Sequence, residues 1–272
     1  MNSVGPMSAT QRYLREIGVR DSPRATCPFD PGYDPATLES HMQQSGHLIG
    51  TVKISMACWM VADEEASRRK IRAVTRLGIP AVTGGGPFEV AVAQGALPSY
   101  LDLCADMGVT RIECGEGFIE LSLKPQEIVE QAQARGLEVE FELGEKHAGS
   151  FTDETTTELI EAGKQWLGAG AVRLVVEARE SAEDVGLFSA PGEFDARQAD
   201  RLAETFGLQR LLFEAPNKAS QFALIDHFGP EVQLGNVRLE EVLRVEIYRR
   251  GLHSDAFGNE KLRPRAPVGD QA

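Results

Sequence analysis

The sequence predicts a single-domain (β/α)8 barrel, or TIM barrel, which is a closed parallel sheet of the α/β class. Short β-rich runs alternate with amphipathic helical runs through most of the chain, which is typical of βαβ units. Eight such runs can be counted, and the 272 residues are close to the roughly 250 that a barrel needs. An open dinucleotide-binding sheet would need a GxGxxG turn, and the nearest candidate, Gly84-Gly85-Gly86, is followed by Pro87.

The eight predicted strands are apolar runs rich in residues that favour strands. They cover residues 25–29, 50–55, 80–83, 110–114, 138–143, 172–177, 210–214 and 232–234. Four helices between them have clear ends, at residues 64–77, 125–135, 152–168 and 196–206. Gly78 and Gly207 follow two of these helices, where a left-handed residue commonly ends a helix. We expect an N-terminal extension at 1–20, the barrel at 21–257, and a flexible C-terminal tail at 258–272.

Charge and composition limit the partners of this chain. The net charge is −13 and the pI is near 4.9, so the protein repels nucleic acid and anionic membrane surfaces. No basic segment followed by an apolar run marks a signal peptide, and the longest apolar stretch is too short to span a bilayer. We therefore expect a cytoplasmic protein with small-molecule substrates and neither nucleic acid nor membrane as a partner. We also expect a homo-oligomer, of a copy number that the sequence does not give.

Charged and polar residues stand where the predicted strands end, which is where a barrel builds its active site. One carboxylate at a strand end is usually a helix cap or a solvated loop charge, but six such positions together favour a shared site. The candidates are Asp30, Lys53, Glu89, Glu113, Glu142, Lys146, Glu177, Arg179, Glu214, Lys218, Gly235 and Asn236. Several carboxylates that converge with Lys and Arg suit a magnesium-assisted reaction on a phosphorylated carboxylic acid.

Strand parity selects one acid of the fifth strand. Glu138, Glu140 and Glu142 share one face of that strand, and a dry barrel does not hold three unpaired acids. We assign Glu142 to the site because it lies nearest the following loop, and we expect Glu138 and Glu140 near the bottom of the barrel.

Seven strand-end segments carry a family resemblance. The clearest are EARES at 177–181, GLF at 186–188, FEAPNK at 213–218 and RRGLHSDAF at 249–257. The others are ELGEK at 142–146, GGGPFE at 84–89 and DPGY at 30–33. In unbroken order over residues 25–257, these segments resemble the phosphosulfolactate synthase family. The resemblance implies a (β/α)8 barrel that adds sulfite to phosphoenolpyruvate with Mg²⁺, giving (2R)-phospho-3-sulfolactate on the way to coenzyme M or sulfolactate.

The resemblance and the strand-end charges together imply a set of roles. Mg²⁺ would be held by Glu142, Glu177 and Glu214. Lys53, Lys146 and Arg179 would be catalytic, with either lysine as the proton donor. Substrate would be bound by Asp30, Glu89, Glu113, Lys218, Gly235 and Asn236, helped by backbone amides after Gly235 near the start of the last helix. The sequence alone does not divide these roles, and they could be exchanged.

The segment after the second strand departs from the family. It reads KISMACW at 53–59 where the family typically has KFGWGTS, and GGGPFE at 84–89 replaces GGTLFE. Both changes remove groups that could bind an oxyanion and add bulk or apolar surface, so we expect the recognition of sulfite to be weakened and the binding of phosphoenolpyruvate to be spared. We interpret Met56, Trp59 and Met60 as packing residues that lie near enough to Lys53 to line a pocket.

Two alternatives stay open at this point. The same scaffold could add another small nucleophile, such as a thiol, to phosphoenolpyruvate or a similar phosphorylated acid. The chain could instead be a non-catalytic, stress-associated barrel, although the retained cluster of charges at the strand ends argues against that alternative.

Overall fold

Eight parallel strands, paired in sequence order, close into a barrel in the computed structural model. The structure describes residues 7–54, 56–145, 149–179 and 181–263. The strands are β1 (Thr26–Asp30), β2 (Val52–Ile54), β3 (Ala81–Thr83), β4 (Arg111–Cys114), β5 (Glu138–Leu143), β6 (Arg173–Val176), β7 (Leu211–Glu214) and β8 (Leu234–Arg238). The predicted (β/α)8 fold is confirmed.

Helices connect the strands around the barrel. They are α1 (Ala9–Glu16), α2 (Pro35–Ser45), α3 (Cys58–Val61), α4 (Glu64–Thr75), α5 (Gly85–Ala93), α6 (Leu97–Met107), α7 (Pro125–Gln133), α8 (Asp153–Ala169), α9 (Ala196–Phe206), α10 (Lys218–Phe228) and α11 (Val242–Arg249). The four helices that the sequence predicted all end within about two residues of their predicted bounds. The sequence pattern did not predict α1, which the Ser8 side chain caps by accepting from the Gln11 N–H. Within the described ranges, no helix is both long enough and apolar enough to cross a membrane.

The eighth strand lies further along the chain than predicted. The prediction ended it at residue 234 and placed Gly235 and Asn236 after it, whereas both residues lie inside β8. These residue types favour turns, but hydrogen bonding of β8 to both of its neighbours in the closed barrel overrides that local preference. Because α11 begins only at Val242, Gly235 does not stand near the start of the last helix, and that expectation was wrong.

A β-bulge explains the position of Asn236. Thr26 of β1 pairs with Leu234 and Pro28 pairs with Val237, so β8 has one more residue than β1 between these two pairs. Asn236 lies in the bulge with a φ of 52°, in the left-handed region. Bulges of this kind redirect a side chain near active sites, and Asn236 borders a cavity at the barrel mouth.

The apolar core lies mostly outside the barrel wall. Strand residues such as Ile112, Leu174 and Phe213 join one continuous cluster with the surrounding helices. Inside the barrel, a separate and much smaller cluster consists of Cys27, Val175 and Leu212. The remaining interior positions, above and below this small cluster, include many charged side chains.

Below the small cluster, Glu140 is buried between two arginines. Its Oε2 accepts hydrogen bonds from Arg173 Nε at 2.8 Å and from Arg111 Nη1 at 3.2 Å. Burial alone would raise the pKa of Glu140, but the two guanidinium groups outweigh burial and lower it. Arg111 also pairs with Glu138, whose side chain is 51% exposed at the start of β5. Glu140 therefore lies low in the barrel, as strand parity predicted, with its charge balanced.

Replacing Glu140 should destabilise the barrel much more than replacing Glu138. Glu140→Gln leaves two buried arginines without their shared carboxylate and should lower the free energy of unfolding by about 3–5 kcal/mol. Glu138→Gln, the matched control, breaks a half-exposed pair and should change it by about 1 kcal/mol or less. Urea denaturation of both variants measures the difference, and equal losses would contradict a central role for Glu140.

Candidate active site

A cavity of about 740 Å³ opens at the C-terminal ends of the strands, the end of a barrel where active sites lie. It brings together seven of the residues that the sequence predicted for the site. They are Lys53, Glu113, Glu142, Glu177, Arg179, Glu214 and Asn236. Four acidic side chains thus face two cations in one cavity at the barrel mouth.

Lys53 is the central cation of this cavity. Its Nζ lies 2.7 Å from Glu113 Oε2 and 3.1 Å from Glu214 Oε1, and its side chain is 10% exposed. Burial opposes the charge of an amine, but the attraction of Glu113, Glu214 and Glu142 outweighs it and holds the pKa of Lys53 well above its usual value. Lys53 therefore stays an ammonium, and it holds together carboxylates from β4 and β7.

Glu113 has a strongly raised pKa. Burial and the nearby charges of Glu142 and Glu140 raise it from 4.5 to about 8, against the attraction of the Lys53 ammonium, which lowers it. The Gly85 N–H, in the first turn of α5, donates to Glu113 Oε1 at 3.0 Å. Glu113 is therefore fixed by an ammonium on one oxygen and a backbone amide on the other.

Glu214 and Glu177 are fixed by the backbone that follows β6. The Ala178 N–H donates to Glu214 Oε2 at 3.1 Å, and the Arg179 N–H donates to Glu177 Oε1 at 2.5 Å. Burial, reinforced by nearby acids such as Glu142, raises the pKa of Glu214 above its usual range. The same short loop thus orients two carboxylates and carries the Arg179 side chain at the cavity edge.

Two glycines show how closely the site is packed. A Cβ on Gly85 would lie 3.6 Å from one oxygen of Glu113 and 3.6 Å from one oxygen of Glu142, so these acids are neighbours. Gly186 has a φ of 56°, and a Cβ there would lie 2.1 Å from the Glu177 carbonyl oxygen. Only glycine permits that approach, which brings the GLF segment at 186–188 against the backbone of Glu177.

Backbone strain concentrates at the cavity. Among the described residues, five non-glycine residues have a positive φ, and three of them border the cavity. These are Met56 (50°), Arg179 (54°) and Asn236 (52°). Such conformations cost of order 1 kcal/mol or more and persist where surrounding contacts impose them, commonly at functional sites.

Asp30 lies beside the site without lining the cavity. Its Oδ2 is 2.6 Å from Lys70 Nζ of α4, and both side chains are buried. Its Oδ1 accepts from the Gly32 and Tyr33 N–H groups at 2.8 and 2.7 Å. The carboxylate of Asp30 therefore shapes the DPGY turn and anchors α4.

Glu89 and Lys218 also lie outside the cavity lining. Glu89 Oε2 accepts from the Phe118 and Ile119 N–H groups at 2.9 and 3.2 Å, which fixes the loop after β4. Lys218 Nζ lies 2.8 Å from Asp255 Oδ2, and both side chains are half exposed. That ion pair joins the FEAPNK segment to the SDAF part of the C-terminal segment.

Two further candidates complete the set. Gly235 lies in β8, where a Cβ would be 3.1 Å from the Leu212 side chain, so it is a close-packing position. Lys146 lies outside the described residues, and its role stays a prediction from the sequence.

The sequence predicts Met56 and Met60 near enough to Lys53 to line a pocket, and both line the cavity, whereas Trp59 is buried. The sequence gives no signal for the other apolar lining residues or for the start of α5 at Gly85, directly after β3 and with proline tolerated in its first turn. Apolar residues that line the cavity are Phe29, Met56, Ala57, Met60, Val61, Pro87, Val90, Phe118 and Pro216. Apolar residues near strand ends resemble core residues in sequence, so only their exposure in the fold distinguishes them.

The chemistry of the cavity suits Mg²⁺. Carboxylate oxygens are the ligands that this ion prefers, and the cavity holds more carboxylates than cations. Burial, together with repulsion between neighbouring acids, raises the pKa of Glu113 and Glu214, and an added cation would relieve the repulsion. Over the part of the chain that is described, no three His, Cys, Asp or Glu side chains form a ready-made metal site. Mg²⁺ commonly needs only one or two carboxylates, with water and substrate phosphate as its other ligands.

Comparisons with known proteins agree with this geometry. A profile of the family described as (2R)-phospho-3-sulfolactate synthase (ComA) matches residues 21–255. The phosphosulfolactate synthase of Methanocaldococcus jannaschii is 32% identical over 234 residues, covering 86% of this chain and 93% of that protein. The phosphosulfolactate synthase of Methanothermobacter thermautotrophicus is 26% identical over 238 residues, covering 87% of this chain and 92% of that protein.

A solved structure supports the fold alone. UMP synthase from Leishmania donovani superposes with a TM-score of 0.55 at 15% identity, covering 90% of this chain and 57% of that one. The family match extends over nearly the whole barrel and includes every residue that lines the charged side of the cavity. On that evidence, the chain belongs to the (2R)-phospho-3-sulfolactate synthase family and is an enzyme of the phosphosulfolactate synthase type.

Proposed function

We propose that this cavity adds a sulfur nucleophile, sulfite in the family's reaction, to C3 of phosphoenolpyruvate with the help of Mg²⁺. With sulfite, the product is (2R)-phospho-3-sulfolactate. A sulfur lone pair forms the S–C3 bond, the π electrons of the C2=C3 bond move towards C2, and a proton then ends on C2. No oxidant or reductant is needed.

One observation carries the proposal: a buried ammonium bound between two carboxylates in a cavity at the barrel mouth. Lys53, Glu113 and Glu214 form this group from three separate strands. A structural ion pair needs one partner, whereas here Glu113, Glu214 and Glu142 all act on one buried lysine. Such an arrangement is costly to bury, and it is typical of sites that bind a charged substrate or ion.

The residues of the chain have distinct tasks in this proposal. Arg179 stands at the cavity edge and would bind phosphate or carboxylate oxygens through its two-pronged guanidinium. Within the described residues, its guanidinium makes no hydrogen bond or ion pair that would compete with substrate. Asn236 of β8 also lines the cavity and would add an amide donor.

The Lys53–Glu113 pair would supply the proton that ends on C2. The raised pKa values of both partners keep a proton on the pair at neutral pH, and the two groups titrate as a unit. Mg²⁺, held by Glu142, Glu177 and Glu214, would act as a Lewis acid that stabilises negative charge on the substrate carboxylate. The positive charge of Lys53 would act on the same developing charge.

Loss of the Lys53 ammonium should stop turnover. Lys53→Gln removes the proposed proton source and cation, so kcat for phosphoenolpyruvate and sulfite should fall by about 100-fold or more. Lys164→Gln is the matched control and should leave kcat unchanged, since among the described residues Lys164 pairs only with Glu161, on the surface of α8. Phosphate-containing product is followed by ³¹P NMR, and circular dichroism checks that both variants fold. A folded Lys53→Gln variant with normal kcat would contradict the proposal.

Magnesium should stabilise the protein more at pH 8 than at pH 5. The pKa of Glu113 is about 8 in the folded protein and near 4.5 when unfolded, so the folded state binds the extra proton between these values. Stability from this group is therefore present below pH 4.5 and is lost as pH rises towards 8. Mg²⁺ competes with that proton, so its effect on Tm should grow over the same range.

Thermal denaturation with millimolar Mg²⁺ and phosphoenolpyruvate, reversed by EDTA, measures this effect. Glu142→Gln should reduce the shift in Tm. Glu193→Gln, at an exposed position outside the cavity, should not. No shift at either pH would count against a metal at these carboxylates.

Arg179→Lys should impair turnover without unfolding the protein. Lysine keeps the charge but loses the paired N–H donors, so kcat/KM for phosphoenolpyruvate should fall by about 10- to 100-fold. Arg197→Lys is the control, because Arg197 pairs with Asp153 on the surface. If Arg179→Lys unfolds and the surviving fraction has normal specific activity, Arg179 belongs to a structural network instead.

A further inference from the structure

One wall of the cavity is apolar and exposed. It is built by α3, by the outer face of α5 and by the loop after β4. The largest exposed side chains in it are Met56 (50%), Met60 (47%), Val61 (85%), Val90 (53%) and Phe118 (55%). Contiguous apolar surface of this kind at the mouth of a cavity usually marks a binding site.

This wall is distinct from the packing core next to it. Trp59 of α3 is 2% exposed, and Phe88 of α5 is completely buried, so each helix already has its own core residue. Met60 and Val90 lie on the same two helices and turn towards the cavity instead. Met56 reaches the cavity through a left-handed backbone conformation, with a φ of 50°. Core packing therefore does not account for these exposed side chains.

Most of the charged and apolar side chains come from different strands of the barrel. The carboxylates and Arg179 come from β4 to β7 and the loops that follow them, whereas Met56, Met60 and Val90 follow β2 and β3. Lys53, on β2, and Phe118, after β4, are exceptions. A ligand that satisfies both kinds of side chain has an anionic part and an apolar part. Phosphoenolpyruvate and sulfite are polar throughout, so neither one uses the apolar wall.

The size of the cavity also indicates a ligand larger than phosphoenolpyruvate and sulfite. At about 740 Å³ it falls within the roughly 300–1,000 Å³ typical of pockets for drug-sized ligands. Phosphoenolpyruvate and sulfite together contain only about 14 non-hydrogen atoms, which is small for a cavity of this class. The cavity therefore has room for a second substrate larger than sulfite.

Charge favours a neutral second substrate. At neutral pH Glu113 holds a proton, but Glu142, Glu177 and Glu214 still outnumber Lys53 and Arg179 among the charged groups that line the cavity. A second anion beside bound phosphoenolpyruvate would be repelled, whereas a neutral molecule with an apolar group would not. A thiol has a sulfur nucleophile, no charge in its protonated form, and room for an apolar substituent.

We propose that the second substrate of this enzyme is an organic thiol whose apolar group packs against Met56, Met60, Val61, Val90 and Phe118. This inference rests on the proposed addition to phosphoenolpyruvate. The thiol sulfur bonds to C3, the C2=C3 π bond is broken, the S–H proton is lost to the protein, and a proton is returned to C2. The product is a 2-phospho-3-thioether of lactate, and atoms and electrons balance without another reactant.

Steady-state turnover with phosphoenolpyruvate and Mg²⁺ tests the inference. Ethanethiol, butanethiol and hexanethiol are compared with sulfite, with product followed by ³¹P NMR. Each added methylene should raise kcat/KM by about fourfold, the factor expected from burying one CH₂ group. Hexanethiol should therefore exceed sulfite in kcat/KM.

Variants of the wall provide the second measurement. Met60→Ser and Val61→Ser should each lower the hexanethiol kcat/KM by about tenfold relative to the sulfite value. Leu103→Ser is the matched control, because Leu103 is a 37% exposed apolar residue of α6 that does not line the cavity. Leu103→Ser should leave the dependence of kcat/KM on the length of the thiol's alkyl group unchanged.

The outcomes separate this inference from the proposed function. Efficient sulfite addition with a flat or falling thiol series would overturn the thiol inference and keep the proposed function. No consumption of phosphoenolpyruvate with any nucleophile would overturn the proposed function as well. The third outcome concerns a second copy of the chain. If Val61→Asp dissociates an oligomer and leaves kcat/KM for each thiol unchanged, a second copy covers this wall and the inference is overturned.

Discussion

The buried charge inside the barrel is the constraint on which the site depends. A carboxylate removed from water is stable only when a cation or hydrogen-bond donors compensate it. Low in the barrel, the attraction of Arg173 and Arg111 outweighs burial, and the pKa of Glu140 falls. At the mouth, Lys53 is shared among several acids, and the pKa values of Glu113 and Glu214 rise instead. Cations thus balance the buried acid low in the barrel, whereas acids outnumber cations at the mouth, where the cavity lies.

The loop after β6 fixes the positions of several of these charged groups. Its backbone amides hold Glu214 and Glu177, and its left-handed turn at Arg179 carries the guanidinium to the cavity edge. Gly186 then approaches the Glu177 carbonyl more closely than any other residue could. One segment therefore sets the positions of Glu177, Glu214 and the Arg179 guanidinium. These contacts explain why a strained backbone is tolerated there.

Residues outside the cavity support this geometry through the loops. Asp30 and Lys70 anchor the turn after β1 to α4, and Glu89 binds two amides in the loop after β4. The Lys218–Asp255 pair joins the loop after β7 to the C-terminal segment. Charged residues at strand ends thus serve two purposes in this fold, and only some of them face a ligand.

The sequence by itself determined the fold and most of the charged side of the site. Alternating strand and helix periods predict a barrel, and a barrel brings its strand ends together, so Lys53, Glu113, Glu142 and Glu214 could be predicted as neighbours. It could not decide that Asp30 and Glu89 bind backbone amides, because a strand-end carboxylate has the same sequence signature whether it faces a loop or a cavity. The bulge at Asn236 and the exposure of Met60 were decided only by tertiary structure. Both depend on how distant segments pair and pack, and local residue preferences do not encode that.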